Sequence, residues 1–223
     1  MRPIELGISG VACVGVALPL DGRTIDGLQL EMPYQLRGAS SQRKQEFLAG
    51  RMCVGAAAAL LGLDLTYLPI GPGRGPTWPL GLTGSISHSK GLALACVGMI
   101  EKVRSIGIDT EELLSNETIS NIKSTISHEC EQQLIARIAA AFSEELAFTV
   151  LFSAKEALFK AVHPISQTFF DFKDATMTSL SLKDQTFSFE IHESVPLKGL
   201  ANNFQGRFLT EGNTLISVLP IKN

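Results

Sequence analysis

The chain has 223 residues, 45% of them hydrophobic and 18% charged, with a formal net charge of −3. That length and composition exclude a disordered chain and allow one large domain or two small ones. The near-neutral balance excludes a general attraction to nucleic acid or anionic membrane, so a polyanionic ligand must be met by a local cluster of basic side chains.

The N-terminal stretch Met1–Leu20 carries Arg2 and apolar residues, but Glu5 and repeated glycines interrupt it and no small-residue cleavage pattern follows, which argues against a secretion signal. The best apolar run, Leu92–Ile100, contains Gly98 and falls short of the ~20 residues a spanning helix needs. A soluble, cytoplasmic protein is expected. The four cysteines, Cys13, Cys53, Cys96 and Cys130, form no CxxC pair and read as four buried, reduced thiols.

Val11–Leu18 reads as a buried strand, and Asp21-Gly22 supplies a turn. Ser40 and Ser41 are N-cap residues for a helix to about Leu61, which Gly62 ends. On it Arg43, Phe47 and Arg51 recur at every fourth position, so the two arginines share a face. A loop dense in glycine and proline, residues 71–81, carries Arg74; Ser85–His88 then leads into an apolar strand, Leu92–Val97. Val103, Ile106 and Ile108 feed a further strand that stops at Asp109. Helical patterns fill Ser127–Ala141 and Ser143–Val162, with Pro164 closing the second. Short strands follow at Phe187–Ile191, Gln205–Thr210 and Leu215–Leu219. Strands and helices in both halves predict two lobes meeting near residue 105.

Three clusters carry chemistry. In the extended segment Ile108-Asp109-Thr110-Glu111, residues two apart point to one face, so Asp109 and Glu111 project together. Adjacent carboxylates raise one another's pKa unless a cation sits between them, and hard oxygen donors suit magnesium; a solvated acidic turn running into Glu112 is the plainer alternative. On the helix through Phe152-Ser153-Ala154-Lys155-Glu156-Ala157-Leu158-Phe159-Lys160, Val150, Ala154 and Leu158 form the core stripe. Glu156 and Lys160 share the opposite side with Phe152 and Phe159, which reads as a cleft wall, against the alternative of a surface salt bridge. The third cluster is basic: Arg43, Arg51, Arg74 and His88, with arginine forks and a glycine loop of the kind that holds phosphate, or else ordinary exposed arginines and a satisfied histidine.

Five motifs stand in order: Arg43-Lys44-Gln45-Glu46-Phe47-Leu48-Ala49-Gly50-Arg51, the loop Gly73-Arg74-Gly75-Pro76-Thr77-Trp78-Pro79-Leu80-Gly81, Gly84-Ser85-Ile86-Ser87-His88, Gly107-Ile108-Asp109-Thr110-Glu111 and Phe152–Lys160. The series, over roughly residues 36–172, resembles the phosphopantetheinyl transferases of the surfactin-synthetase-activating type, most of all the subgroup like the enterobactin synthase D component. Many members carry tryptophan where this chain has Phe152, and the N-terminal stretch and everything after about Asp174 match weakly.

The resemblance implies an α+β fold: a pseudo-twofold pair of similar lobes, each a small sheet packed with helices, with coenzyme A in the cleft between them. It implies a coenzyme A-binding N-terminal lobe, 1–105, and a metal-binding C-terminal lobe, 106–223. By position, Arg43, Arg51 and Arg74 would hold the 3′-phosphate and pyrophosphate of coenzyme A, with Ser87 and His88 on its phosphates. Asp109, Glu111 and Glu156 would ligate magnesium, with Asp109 thereby also serving coenzyme A. Lys155 and Lys160 would face phosphate oxygens, Lys160 meeting the charge that builds during transfer. The implied reaction is attack by a serine of an apo acyl, peptidyl or aryl carrier protein on the β-phosphorus, with Glu156 taking the serine proton. A monomer would suffice, and siderophore or other nonribosomal peptide assembly is the implied setting.

Two other classes compete. A Ser87–His88–Asp109 hydrolase would need a nucleophile elbow, and Ser87-His88-Ser89-Lys90-Gly91 lacks its first glycine. A non-catalytic module binding coenzyme A or a carrier protein would have lost base or metal ligands, whereas all three carboxylates and Lys160 are present.

Overall fold

A computed structural model describes residues 1–26, 32–71, 73 and 75–223. Strands and helices sort into two units, Met1–Val103 and Arg104–Asn223. Both sheets are wholly antiparallel, so the class is α+β.

In the first unit β1 (Arg2–Pro3), β2 (Val11–Ala17), β3 (Leu82–His88) and β4 (Leu92–Met99) form a sheet in the order β1-β2-β4-β3. The central strand β4 is apolar on both faces and pairs β2 from Val11↔Gly98 to Ala17↔Leu92. After a short helix α1 (Gly22–Asp26), the long helix α2 (Ser41–Leu60) lies against the sheet. It starts where the sequence predicts: the Ser40 hydroxyl accepts the Arg43 N–H at 3.2 Å. It stops at Gly62, whose φ of +74° puts the chain in the left-handed region that a side chain disfavours. Between these ends Cys53, Val54 and Ala57 bury against Val14, Ala95 and Val97.

The second unit is built on β5 (Ser105–Glu112), followed by the helices α3 (Asn116–Ile126), α4 (Gln132–Ala141) and α5 (Glu144–Ser166). Four more strands, β6 (Ala175–Ser181), β7 (Thr186–Ile191), β8 (Asn203–Glu211) and β9 (Thr214–Ile221), complete a sheet in the order β5-β9-β8-β7-β6. α5 lies over β5 and β9. The approach is close because Gly107 has no side chain: a Cβ there would collide with the carbonyl of Ala157. Next to it the Ser105 hydroxyl donates to the Ala161 carbonyl at 2.7 Å. Alternation along the strand therefore turns Ser105, Gly107, Asp109 and Glu111 toward α5. The core beneath is aromatic and aliphatic, with Phe187, Phe189, Phe208, Leu151 and Leu158 fully or almost fully buried.

Several expectations are corrected. β5 does not stop at Asp109 but pairs with β9 through Glu112↔Thr214, which keeps Asp109 and Glu111 on one face of a regular ladder. The helical pattern of 127–141 is a 3₁₀ turn at Glu129–Glu131 before α4, because His128 caps the turn and the Glu131 carboxylate folds back to the His128 N–H at 2.6 Å. Pro164 does not close α5; it lies inside the last turn, which ends at Gln167 with φ 53°. Cys13, Cys53 and Cys96 are buried as expected, whereas Cys130 is exposed on the 3₁₀ turn. Among the described residues no helix is long and apolar enough to cross a membrane.

Candidate functional site

The carboxylate cluster belongs to the second unit. Asp109 is held on β5 by the ladder to Ser217 and is buried, yet it faces an ammonium: Lys160 Nζ donates to Asp109 Oδ1 at 2.6 Å. Lys160 stands one turn beyond Glu156 on α5, so the helix delivers a base-bearing and an acid side chain to the same end of the strand. Burial first, then the Asp109 charge, pushes the Glu111 carboxyl up to about 7, with Lys160 opposing and Glu156 and Glu112 adding to the rise. Burial also raises Glu156, again with Lys160 opposing and Asp109 adding to it. Three carboxylates thus repel one another around one lysine.

The basic cluster belongs to the first unit. Arg43 Nη1 donates to His88 Nε2 at 2.8 Å, and because a guanidinium can only donate, that nitrogen accepts. Arg43 Nη1 also donates to Glu46 Oε2 at 3.2 Å, so Arg43, in the first turn of α2, links Glu46 to His88 at the end of β3. Two turns along, Arg51 lays its guanidinium 4.6 Å from the Phe47 ring centroid and donates to the Leu68 carbonyl at 3.0 Å. Burial lowers the Arg51 pKa, and Tyr67 opposes this while Arg43 adds to it, so the two arginines act on each other as the shared face predicts.

Two family models cover most of the chain: 4′-phosphopantetheinyl transferase N-terminal domain over residues 32–98, and 4′-phosphopantetheinyl transferase superfamily over residues 105–205. Enterobactin synthase component D of Escherichia coli O157:H7 is 41% identical over 159 residues, covering 65% of this chain and 73% of that protein. The chain belongs to the 4′-phosphopantetheinyl transferase superfamily. Its likeness to the component D proteins places it in that subgroup; the Salmonella typhi protein is 37% identical over 157 residues, 70% of this chain. The chain spans just under two thirds, 63%, of that relative's length. The 4′-phosphopantetheinyl transferase PptT of Mycobacterium tuberculosis (strain ATCC 25618 / H37Rv) is 32% identical over 188 residues, 83% of this chain and 73% of that protein.

For a member of this superfamily, the two clusters divide the predicted residues unevenly. Lys160 pairs with Asp109, and Glu111 and Glu156 are near enough to feel both charges; Arg43 meets His88, and Arg51 lies on the Arg43 face of α2. Arg74 lies outside the described residues. Ser87 does not join His88: on the regular β3 strand the two neighbours point to opposite faces, and Ser87 is buried. Lys155 is also elsewhere. Its ammonium donates to the Ile126 carbonyl at 2.8 Å, the Phe172 carbonyl at 2.8 Å and Glu131 Oε2 at 2.9 Å, inside the core. Three donors on three protein acceptors leave none for a phosphate, so the expected phosphate contact is corrected to a structural lysine. Phe152 and Phe159 are half-buried. They pack against the second unit's core, Phe152 5.7 Å from the Phe172 ring and Phe159 5.3 Å from Phe170.

Sequence reasoning missed Glu131, Glu46 and the α3 helix. Ser115 followed by Ile119, Ile122 and Ile126 is a capped helical spacing that was available to find α3. Nothing local marks Glu131, whose Oε1 accepts the Met177 N–H at 2.6 Å from a strand 46 residues away.

Magnesium can be tested against this donor set. Among the described residues no group of three or more His, Cys, Asp or Glu side chains is drawn together as a ready metal site. The chemistry nevertheless fits a hard cation: burial and mutual repulsion raise the pKa of Glu111 and Glu156, a cost that a divalent ion relieves. The same repulsion gives a pH prediction. The folded chain holds the Glu111 proton more tightly than the unfolded chain, so stability falls as pH rises from the ordinary Glu range through about 7. Glu111→Gln should therefore raise unfolding stability in metal-free buffer by about 1–2 kcal/mol at pH 8, after discounting for partial exposure, and change it little at pH 4. Urea melts of both proteins at the two pH values check this, and equal stability at pH 8 contradicts it.

Proposed function

We propose that this chain is a magnesium-dependent holo-carrier-protein synthase. It transfers the 4′-phosphopantetheine arm of coenzyme A to a serine of an apo carrier protein and releases adenosine 3′,5′-bisphosphate. The observation that carries the reading is the mutual coupling of Asp109, Glu111 and Glu156 around Lys160. Family membership sets the reaction class.

In this reading Asp109, Glu111 and Glu156 hold magnesium, which when bound supplies charge neutralisation at the pyrophosphate. Arg43, Arg51 and His88, with Arg74, grip phosphate oxygens through charge-assisted hydrogen bonds. Glu46 holds Arg43, which in turn meets His88, before the ligand arrives. Glu156 takes the proton of the attacking serine hydroxyl; metal and Lys160 beside it would keep it ionised, a ready but weak base. Lys160, which donates to Asp109, would compensate the charge of the leaving phosphate. The nucleophile comes from the carrier, so the chain needs none of its own. Positioning and neutralisation account for the rate.

The component D relatives are named for enterobactin synthase, which supports peptidyl or aryl carriers of siderophore or other nonribosomal peptide assembly as acceptors. We further propose that it acts as a monomer in the cytoplasm. Incubation with fluorescent coenzyme A and a panel of apo acyl, peptidyl and aryl carriers tests the reading by intact mass. Labelled peptidyl or aryl carrier with magnesium, and none with excess chelator, is expected. Coenzyme A binding without transfer to any carrier would establish the non-catalytic module instead.

A further inference from the structure

Two buried hydroxyls stand at the level of the carboxylates and take no part in the assignments above. On the face of β9 turned toward α5 the residues are Leu215, Ser217, Leu219 and Ile221, opposite Glu111, Asp109, Gly107 and Ser105. Ser217 is the one polar side chain of that row. It is fully buried, and among the described residues its Oγ has no hydrogen-bond partner.

The second hydroxyl comes from the helix. Thr149, Ser153, Ala157 and Ala161 follow one another turn by turn along the side of α5 that lies on β5. Ala161 accepts from Ser105, Ala157 covers Gly107, and the Thr149 hydroxyl accepts the Leu114 N–H at 2.9 Å. Ser153 lies between Thr149 and Ala157, so it stands over the part of β5 between Gly107 and Leu114, where Asp109 and Glu111 are. Its hydroxyl is also fully buried without a hydrogen-bond partner among the described residues.

A buried hydroxyl without a partner is unfavourable, and alanine at either position would remove the cost. Two at one level, one from the strand beside Asp109 and one from the helix above it, point to a bound state that uses them. We propose that Ser217 and Ser153 are positioning residues for the magnesium carboxylates. With a divalent cation held by the carboxylates, the two hydroxyls would donate to carboxylate oxygens and fix their direction. Partners of this kind set metal affinity without touching the metal. The inference rests on the magnesium reading given above.

The test uses Mn²⁺ titrated into the full chain with coenzyme A present and no carrier, followed by loss of the free-ion EPR signal, beside thermal melts without metal. Ser217→Ala should weaken Mn²⁺ binding by about 10-fold, and the double variant with Ser153→Ala by more, while the metal-free melting temperature stays level or rises. Mn²⁺ affinity equal to wild type in the double variant overturns the inference and leaves the magnesium reading standing. A lower metal-free melting temperature in step with weaker binding also overturns it, because the hydroxyls would then be structural. Wild-type protein that takes up no Mn²⁺ overturns the magnesium reading, and the role of the serines with it.

Discussion

Glu156→Gln should leave coenzyme A affinity within about threefold of wild type and lower turnover by about 10²–10⁴-fold, the range for a lost general base. The amide keeps the size and position of the side chain on α5, so packing is preserved while the proton acceptor and one anionic oxygen donor disappear. Single-turnover transfer from fluorescent coenzyme A to a carrier measures the chemical step, and isothermal titration with coenzyme A measures the ground state. Near-normal turnover in this variant would dismiss Glu156 both as base and as metal ligand.

Lys155→Met should lower folding stability by about 3–5 kcal/mol, the cost of removing one partner from a buried ion pair. Burial lowers the Lys155 pKa and Glu131 supports its charge, so the lysine persists as a cation only because Glu131 and two carbonyls surround it. Taking it away strands the Glu131 carboxylate, whose oxygens also hold the His128 and Met177 N–H groups. Four segments meet there: the end of α3, the 3₁₀ turn before α4, the 3₁₀ turn at Phe172 and the first residues of β6. Adding Glu131→Gln to Lys155→Met should recover part of the loss, because the stranded charge is then gone. Urea unfolding of the single and double variants checks both statements. A Lys155→Met protein as stable as wild type but weaker in coenzyme A binding would return the lysine to a phosphate contact.

These two neighbours, Lys155 and Glu156, mark the limit of what one chain of letters carries. Their motif is plain in the sequence, and helical geometry places them on different sides of α5. Which side meets a ligand and which meets the core depends on Glu131, a residue 24 positions away on a turn that no local pattern announces. The basic cluster divides in the same way. Arg43 and Arg51 share a face because the helix has 3.6 residues per turn, and that is read directly. Adjacency groups Ser87 with His88, yet a strand sends adjacent side chains to opposite faces.

The sequence by itself determined the local features: the Ser40 cap and Gly62 stop of α2, the common face of Asp109 and Glu111, and the turn-by-turn spacing of Glu156 and Lys160. These follow from backbone periods and capping chemistry, which act over a few residues. Tertiary structure alone decided that Lys160 meets Asp109, that Lys155 is spent inside the core, that α5 runs on through Pro164, and that Ser217 lies opposite Asp109. Each of these depends on which distant group shares a buried space. Burial free energy belongs to the packed assembly of elements and is written in no single segment.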